Sequence, residues 1–263
     1  MLGKLLKYDL KWIYKALIPF YIFSIIFAIF YRIFNSIEDS FIMMIIAKIC
    51  SGTVIAMIIN ILINCLMRVW ARVNKNFYKD ESYLTHTLPI KKGTIYLSKF
   101  LAAVITLFTS ILLILGVVFI AYYTEANFEL LKLSLNTIAD IYESSVNELL
   151  ISMVIVLFLE LLFGMQSGIL GLIIGNKFND KKIILSIFFG FALYLIASAT
   201  SLLIIFLIGL VNENVMTLFN SMANLSIDAV KLVLIGGMIM YTFYIVLYYF
   251  IGLKLLKKGV NVE

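Results

Sequence analysis

Long apolar runs separated by short polar segments make up most of this chain. The runs show no alternation of apolar and polar positions, and each approaches or exceeds the roughly 20 residues that a helix needs to cross the hydrocarbon of a bilayer. The pattern therefore predicts an all-α membrane protein with six transmembrane helices. The predicted spans cover approximately residues 16–34, 49–67, 100–123, 149–175, 183–211 and 231–253.

Composition narrows the class of protein further. Hydrophobic residues account for 63% of the 263 positions and charged residues for only 14%, whereas a soluble domain is nearer half apolar and one quarter charged. An ordinary soluble domain, a disordered chain and a disulfide-rich scaffold are thereby excluded. We expect a single transmembrane domain over residues 1–263, without a soluble catalytic domain.

Basic residues are predicted to lie mainly on one side of the membrane. Seventeen of the 21 lysines and arginines precede the first span, lie in the second or fourth loop, or follow the last span. By the positive-inside rule both termini are predicted to be cytoplasmic. The net charge of +6 follows from this topology, so nucleic-acid binding is not predicted. The opposite loops carry acidic residues instead: Glu38, Asp39, Glu125, Glu129, Asp140, Glu143, Glu148, Glu213 and Asp228.

Residues 1–15 have an amphipathic pattern. Leucines and Ile13 recur at helical spacing, and the lysines form a separate stripe. This pattern predicts an interfacial helix on the cytoplasmic surface, although a generic positively charged anchor would also explain it. Pro19 predicts a turn between this helix and the first span. The lysines of the stripe are Lys4, Lys7, Lys11 and Lys15.

The second cytoplasmic loop, from about Arg68 to Lys99, mixes acidic, aromatic and hydroxyl residues. A short helix is predicted there, ending before Pro89 and carrying Phe77, Tyr83, Leu84 and Leu88 on one strip. An exposed apolar strip indicates docking to a partner or contact with the membrane surface. The candidate docking residues are Phe77, Asp80, Glu81, Tyr83, Leu84, His86 and Leu88.

The fourth span contains Glu160, followed by four glycines at spacings of three and four residues. That spacing places them on one helix face, where small residues let another helix approach closely. Because an ionisable group is costly at membrane depth, Glu160 is predicted to be protonated or paired, with Asn60, Asn64 or Gln166 as candidate partners. It either belongs to a translocation path or has a structural role. The glycines are Gly164, Gly168, Gly171 and Gly175.

Catalytic motifs are not found in the sequence. His86 is the single histidine, and neither HExxH nor GxxxxGK[ST] occurs. These absences predict that the chain is not an enzyme, binds no cofactor or metal and does not hydrolyse ATP. Cys50 and Cys65 would lie about 22 Å apart along one helix, which is too far for a disulfide.

Four segments carry a resemblance to a known family. They are residues 5–11 (LLKYDLK), 80–90 (DESYLTHTLPI), 98–100 (SKF) and 257–263 (KKGVNVE). With the six spans, they resemble the permease subunits of bacterial ABC transporters of the ABC-2 type. The chain is most similar to the small single-domain permeases associated with antimicrobial or amphipathic peptides.

The resemblance implies a function. It implies a pair of permeases in the bacterial plasma membrane, formed with a second copy of this chain, each contacting a separate ATPase subunit that binds ATP and Mg²⁺. The N-terminal helix and the second loop would transmit ATP-driven motion, and an amphipathic or antimicrobial-type peptide, or another amphiphile, would be exported. The alternatives are an ion-coupled secondary carrier and a non-transporting membrane adaptor or immunity protein.

Overall fold

The computed structural model describes residues 1–37, 40–141, 145–216, 218–219 and 227–259. Within these ranges the side chains of residues 86, 137, 140, 141, 213, 214 and 227–230 are outside the description. The acidic positions Glu38, Asp39 and Glu143 therefore lie outside the described residues. The same holds for the side chains of His86, Asp140, Glu213 and Asp228.

The secondary structure in the described ranges is helical throughout, without strands. Six of the helices are long and apolar enough to cross a membrane. This confirms the prediction of an all-α, multi-pass membrane protein with six apolar spans. The helices are α1 (Leu2–Asn35), α2 (Phe41–Phe77), α3 (Ser82–Thr87), α4 (Lys92–Tyr122), α5 (Glu125–Ile141), α6 (Val146–Gly175), α7 (Lys182–Val211), α8 (Glu213–Met216) and α9 (Ile227–Lys257).

The chain forms two compact units, with the division inside α5. In the first unit, Met1–Leu130, the helices α1, α2 and α4 pack against one another and α3 packs on α2. Small side chains meet at one end of this packing, where Ala28, Val54, Val117 and Ala121 form a buried cluster. Small residues allow the three helix backbones to approach closely.

Helix α1 continues through Pro19. The helix end that the sequence predicts at this proline is therefore absent. Contacts on both sides of Pro19 hold the helix together: the Tyr14 hydroxyl lies 2.6 Å from Thr109 Oγ1, and the Tyr21 hydroxyl lies 2.7 Å from Ser110 Oγ. Because α1 packs along α4 before and after the proline, the loss of one backbone hydrogen bond does not end it. A membrane-surface position for residues 1–15 stays a prediction.

The second unit, from Leu131 onward, is built around α6, which packs against α7 and α9. A capping box starts α6, since Ser145 and Glu148 exchange side-chain to backbone hydrogen bonds. Glycines bring α6 and α7 together. A Cβ atom on Gly171 would lie 2.5 Å from the Cα of Gly190 and 2.7 Å from the carbonyl oxygen of Ser186. The two backbones are thus too close for any side chain at position 171.

Candidate functional site

A cluster of polar and charged side chains is buried in the first unit, where the start of α1, the end of α2, the start of α3 and the start of α4 meet. Asp9 is 1% exposed, Lys99 is 3% exposed and Arg72 is 8% exposed. Charged groups are almost never this buried unless they are paired. We call this group the Asp9 cluster; its members are Asp9, Arg72, Asn76, Glu81, Ser98 and Lys99.

Asp9 is the acceptor at the centre of the cluster. Its Oδ1 atom accepts from Arg72 Nε at 2.8 Å and from Lys99 Nζ, and its Oδ2 atom accepts from Ser98 Oγ at 2.7 Å. Lys99 also donates to the side-chain carbonyl of Asn76. One carboxylate of α1 is therefore joined to both α2 and α4, and its charge is compensated within the fold.

Glu81 connects the cluster to α3, of which it is the N-terminal flanking residue. Its carboxylate accepts from Arg72 Nη1 at 2.7 Å and from Asn76, and it pairs with Lys75 Nζ at 3.3 Å. Partial burial acts to raise the pKa of Glu81, but the charges and hydrogen bonds of Arg72 and Lys75 outweigh burial and lower the pKa below its ordinary value. Arg72 thus bridges two carboxylates, Asp9 and Glu81.

Trp12 covers the arginines of α2. The guanidinium carbon of Arg72 lies 5.5 Å from the centroid of the Trp12 ring, and that of Arg68 lies 5.9 Å from it. Both distances are within the range of a cation–π interaction. The aromatic ring therefore adds a second link between α1 and α2 next to the ion pairs.

The outer face of α3 exposes apolar side chains. Tyr83 is 66% exposed and Leu84 is 71% exposed, and Leu88 follows directly after the helix at 43%. Asp80 is exposed beside them. The side chain of His86 lies outside the described residues. The short helix before Pro89 is thus present, with an apolar surface directed to the outside.

Two of the candidate docking residues, Phe77 and Glu81, make contacts within the fold instead of forming part of the exposed surface of α3. Phe77 is the last residue of α2 and is only 2% exposed, so its predicted place on the strip of the short helix is wrong. The reason is that α2 continues to Phe77, whose ring packs 6.3 Å from that of Tyr78. The carboxylate of Glu81 is already occupied by Arg72, Lys75 and Asn76.

The Asp9 cluster is not among the sites predicted above, although the sequence contains a signal for it. Asp9 is the one acidic residue among the first fifteen, and it lies four residues from both Leu5 and Ile13, on the apolar stripe. Lys99 shares a helix face with Ala102 and Ala103, which lie three and four residues later. Both alanines are buried in α4. A charge on an apolar helix face indicates a buried partner.

In the second unit, Glu160 of α6 is half-buried and accepts a hydrogen bond of 3.5 Å from the Tyr194 hydroxyl of α7. Tyr194 was not among the predicted partners. Asn60 and Asn64 donate to carbonyl groups of their own helix at 2.9 Å. Gln166 is 1% exposed.

The glycines after Glu160 lie along the contact between α6 and α7. A Cβ atom on Gly164 would meet the Tyr194 ring at 4.0 Å, an ordinary contact. Gly168 faces Gly190, while Gly171 and Gly175 face the backbone of α7 at Gly190 and Ser186. The glycine face is therefore a helix-packing surface in this fold.

No family model, curated protein or solved structure matches this chain. The first unit offers a short exposed helix anchored by buried charges. The second offers a half-buried carboxylate among aromatic rings.

Proposed function

We propose that this chain is the permease subunit of an ATP-driven exporter in the bacterial plasma membrane. A separate ATPase would bind ATP and Mg²⁺, and a second copy of the chain would complete the translocation path. The observation that supports this proposal is the outer face of α3, where Tyr83 and Leu84 are exposed while Glu81 is bound to Arg72. Exposed aromatic and aliphatic side chains on a polar loop favour docking of a protein.

The Asp9 cluster supports a coupling role for α3. A docking helix transmits motion only if it moves together with the helices behind it. Glu81 is bound to Arg72, and Arg72 to Asp9, which in turn binds Lys99. A displacement of α3 would therefore reach α1, α2 and α4 through buried charges, whose separation is costly.

The orientation that this function requires has both termini in the cytoplasm. The four lysines of the N-terminal stripe are exposed in α1, where they are available to lipid phosphates. The distribution of the 21 basic residues favours the same side for α3. The exported substrate is proposed to be an amphipathic or antimicrobial-type peptide, or another amphiphile.

The test uses the full chain, reconstituted with the ATPase subunit that co-purifies with it. The chain should stimulate ATP hydrolysis, and Tyr83→Ala or Leu84→Asp should remove the stimulation, because both residues lie on the exposed face of α3. Lys79→Ala, an exposed neighbour, is the matched control. Stimulation that both α3 variants leave intact would refute the docking surface. Transport that follows an ion gradient without any ATPase would favour a carrier instead.

A further inference from the structure

A cavity of about 530 Å³ lies in the second unit, between α6, α7 and α9. Its walls are mainly apolar and include Val156 of α6, Leu202 of α7 and Val233 of α9. Small-molecule sites commonly measure roughly 300–1,000 Å³. The cavity therefore has the size and lining of a site for a small apolar or amphiphilic molecule.

Aromatic rings form one side of this cavity. Phe163 has four tyrosine rings around it, with centroids at 5.2 Å for Tyr194, 5.6 Å for Tyr241, and 5.9 Å for both Tyr244 and Tyr248. Phe163, Tyr241 and Tyr244 line the cavity directly. The faces of such rings carry negative partial charge and attract cations.

Two hydroxyl contacts hold tyrosines of α9 against α7. The Tyr244 hydroxyl lies 2.5 Å from Thr200 Oγ1, and the Tyr248 hydroxyl donates to the carbonyl oxygen of Leu193 at 2.8 Å. By contrast, the Tyr241 hydroxyl has no hydrogen-bond partner among the residues that the structure describes. The rings are thus held in place, and one polar group beside the cavity is available to a ligand.

Glu160 does not line the cavity itself, but it neighbours two residues of α6 that do, Val156 and Phe163. It lies four residues after Val156 and three before Phe163, so all three share a face of α6. Its carboxylate interacts electrostatically with Tyr194 and Tyr241. Within the described part of the chain, no lysine or arginine forms an ion pair with it. A charged group at membrane depth is costly unless an opposite charge lies beside it.

We propose that this cavity binds a single-tailed amphiphile with an organic cation as its head group. The cation would lie against Glu160 and the ring of Tyr241, and the tail would fill the apolar part between α6, α7 and α9. Charge complementarity selects a cation over an anion or a neutral head group. Binding at equilibrium requires no ATP hydrolysis, so this proposal does not depend on whether the chain works with an ATPase.

The first experiment tests the charge. The full chain is placed in nanodiscs of digalactosyldiacylglycerol, a bilayer lipid without net charge or ammonium, and binding of radiolabelled octyltrimethylammonium is measured against empty nanodiscs. Octyl sulfate, with the same tail, is the anionic control. Glu160→Gln keeps the shape and should lower the affinity for the cation by about tenfold or more, since it removes the negative charge beside Tyr194 and Tyr241. Glu148→Gln, exposed on the same helix, should leave it unchanged.

The second experiment tests the cavity with two neighbouring glycines. Gly237 lines the cavity and has open space around its Cβ position; Gly236 has the same open space but is not a lining residue. Gly237→Leu should therefore occupy the tail site and lower binding about tenfold or more, whereas Gly236→Leu should not. Both variants introduce the same side chain into the same helix.

Several results would overturn the site. Equal binding of octyl sulfate, or an unchanged affinity in Glu160→Gln, would show that the charge of Glu160 does not select the ligand. Equal effects of the two leucine variants would show that the tail does not bind in this cavity. Competition by phosphatidylcholine added to the nanodiscs would assign the site to a two-tailed lipid instead. None of these results depends on ATPase stimulation, so failure here is distinguishable from failure of the transport proposal.

Discussion

The Nε atom of Arg72 in α2 lies 2.8 Å from the Oδ1 atom of Asp9 in α1, and the two side chains are 10% and 2% exposed. The other side of the same guanidinium donates to Glu81 at 2.7 Å. One arginine thus joins the first helix of the chain to the start of α3. Since Lys99 also pairs with Asp9, two basic and two acidic side chains balance within the cluster.

Replacing Asp9 with asparagine should destabilise the first unit strongly. The substitution leaves Lys99 buried without its carboxylate partner and leaves Arg72 paired with Glu81 alone, and breaking a buried ion pair costs about 3–5 kcal/mol of stability. An SDS unfolding titration of the full chain measures the change. Asp80→Asn removes an exposed carboxylate and should stay within about 0.5 kcal/mol of the native chain. Similar midpoints for both variants would contradict a stabilising role for the Asp9 cluster.

The attachment of α3 should weaken as the pH falls into the acidic range. Because the folded-state pKa of Glu81 is depressed, its ion pairs contribute fully above the ordinary glutamate pKa of about 4.3 and are lost as the pH falls through the lower folded pKa. A nitroxide label at Leu84→Cys, in a chain without Cys50 and Cys65, reports the mobility of α3.

Mobility of that label should stay constant from about pH 7 to about pH 5 and rise only below about pH 4. Glu81→Gln should give the mobile spectrum at every pH. A rise already near about pH 6 would mean that burial, rather than Arg72 and Lys75, dominates the titration of Glu81.

Alanine at Gly171 should disturb the packing of α6 on α7. Its Cβ would meet backbone atoms of Gly190 and Ser186, which cannot rotate away as a side chain can. We expect a loss of about 1–3 kcal/mol, the usual cost of overpacking, in the same SDS titration. Gly116→Ala in α4 meets no atom within 4 Å and should be neutral or stabilising. Equal behaviour of the two variants would exclude close backbone packing at position 171.

Tyr83 should contribute most of the affinity for the proposed ATPase partner. Aromatic side chains at the centre of an interface carry more energy than charges at its rim, so Tyr83→Ala should weaken association by about 1–2 kcal/mol. Lys79→Ala should weaken it much less. Titration of the ATPase onto immobilised permease measures both. A Lys79 effect larger than that of Tyr83 would show that electrostatics, rather than the apolar face, dominates docking.

The topology can be tested by thiol labelling of intact cells. Single cysteines replace Lys79 and Asn179 on the predicted cytoplasmic side, and Ser36 and Asn136 on the other; all four positions are exposed. Cys50 and Cys65 are buried and free, and alanine replaces both. An impermeant maleimide should label positions 36 and 136 and leave 79 and 179 unlabelled. The reverse result would invert the orientation.

Much of the local structure could be predicted from the sequence because it depends on neighbouring residues. Apolar runs long enough to cross a bilayer predict helices, and α6 and α7 begin and end close to the predicted spans. Pro89 limits α3 as expected. The prediction failed where packing decides: α1 continues through Pro19 because α4 supports it on both sides, and Phe77 is buried because α2 extends to it.

The candidate sites depend on the tertiary structure in a different way. Asp9 is 63 positions from Arg72 and 90 positions from Lys99 along the chain. Only the packing of three helices brings these side chains within hydrogen-bond distance. Likewise, Glu160 could be recognised as unusual from its apolar surroundings, but its neighbours Tyr194 and Tyr241 come from other helices.

By itself, the sequence determined the class of this protein, the number of its spans and the glycine face of α6. These properties follow from length, hydropathy and spacing within a single helix, which do not require knowledge of the neighbours. Only the tertiary structure decided which charges are compensated, which tyrosines lie beside Glu160 and which residues of α3 are exposed. The physical reason is that burial and ion pairing are properties of contacts between helices, and those contacts join residues that are far apart along the chain.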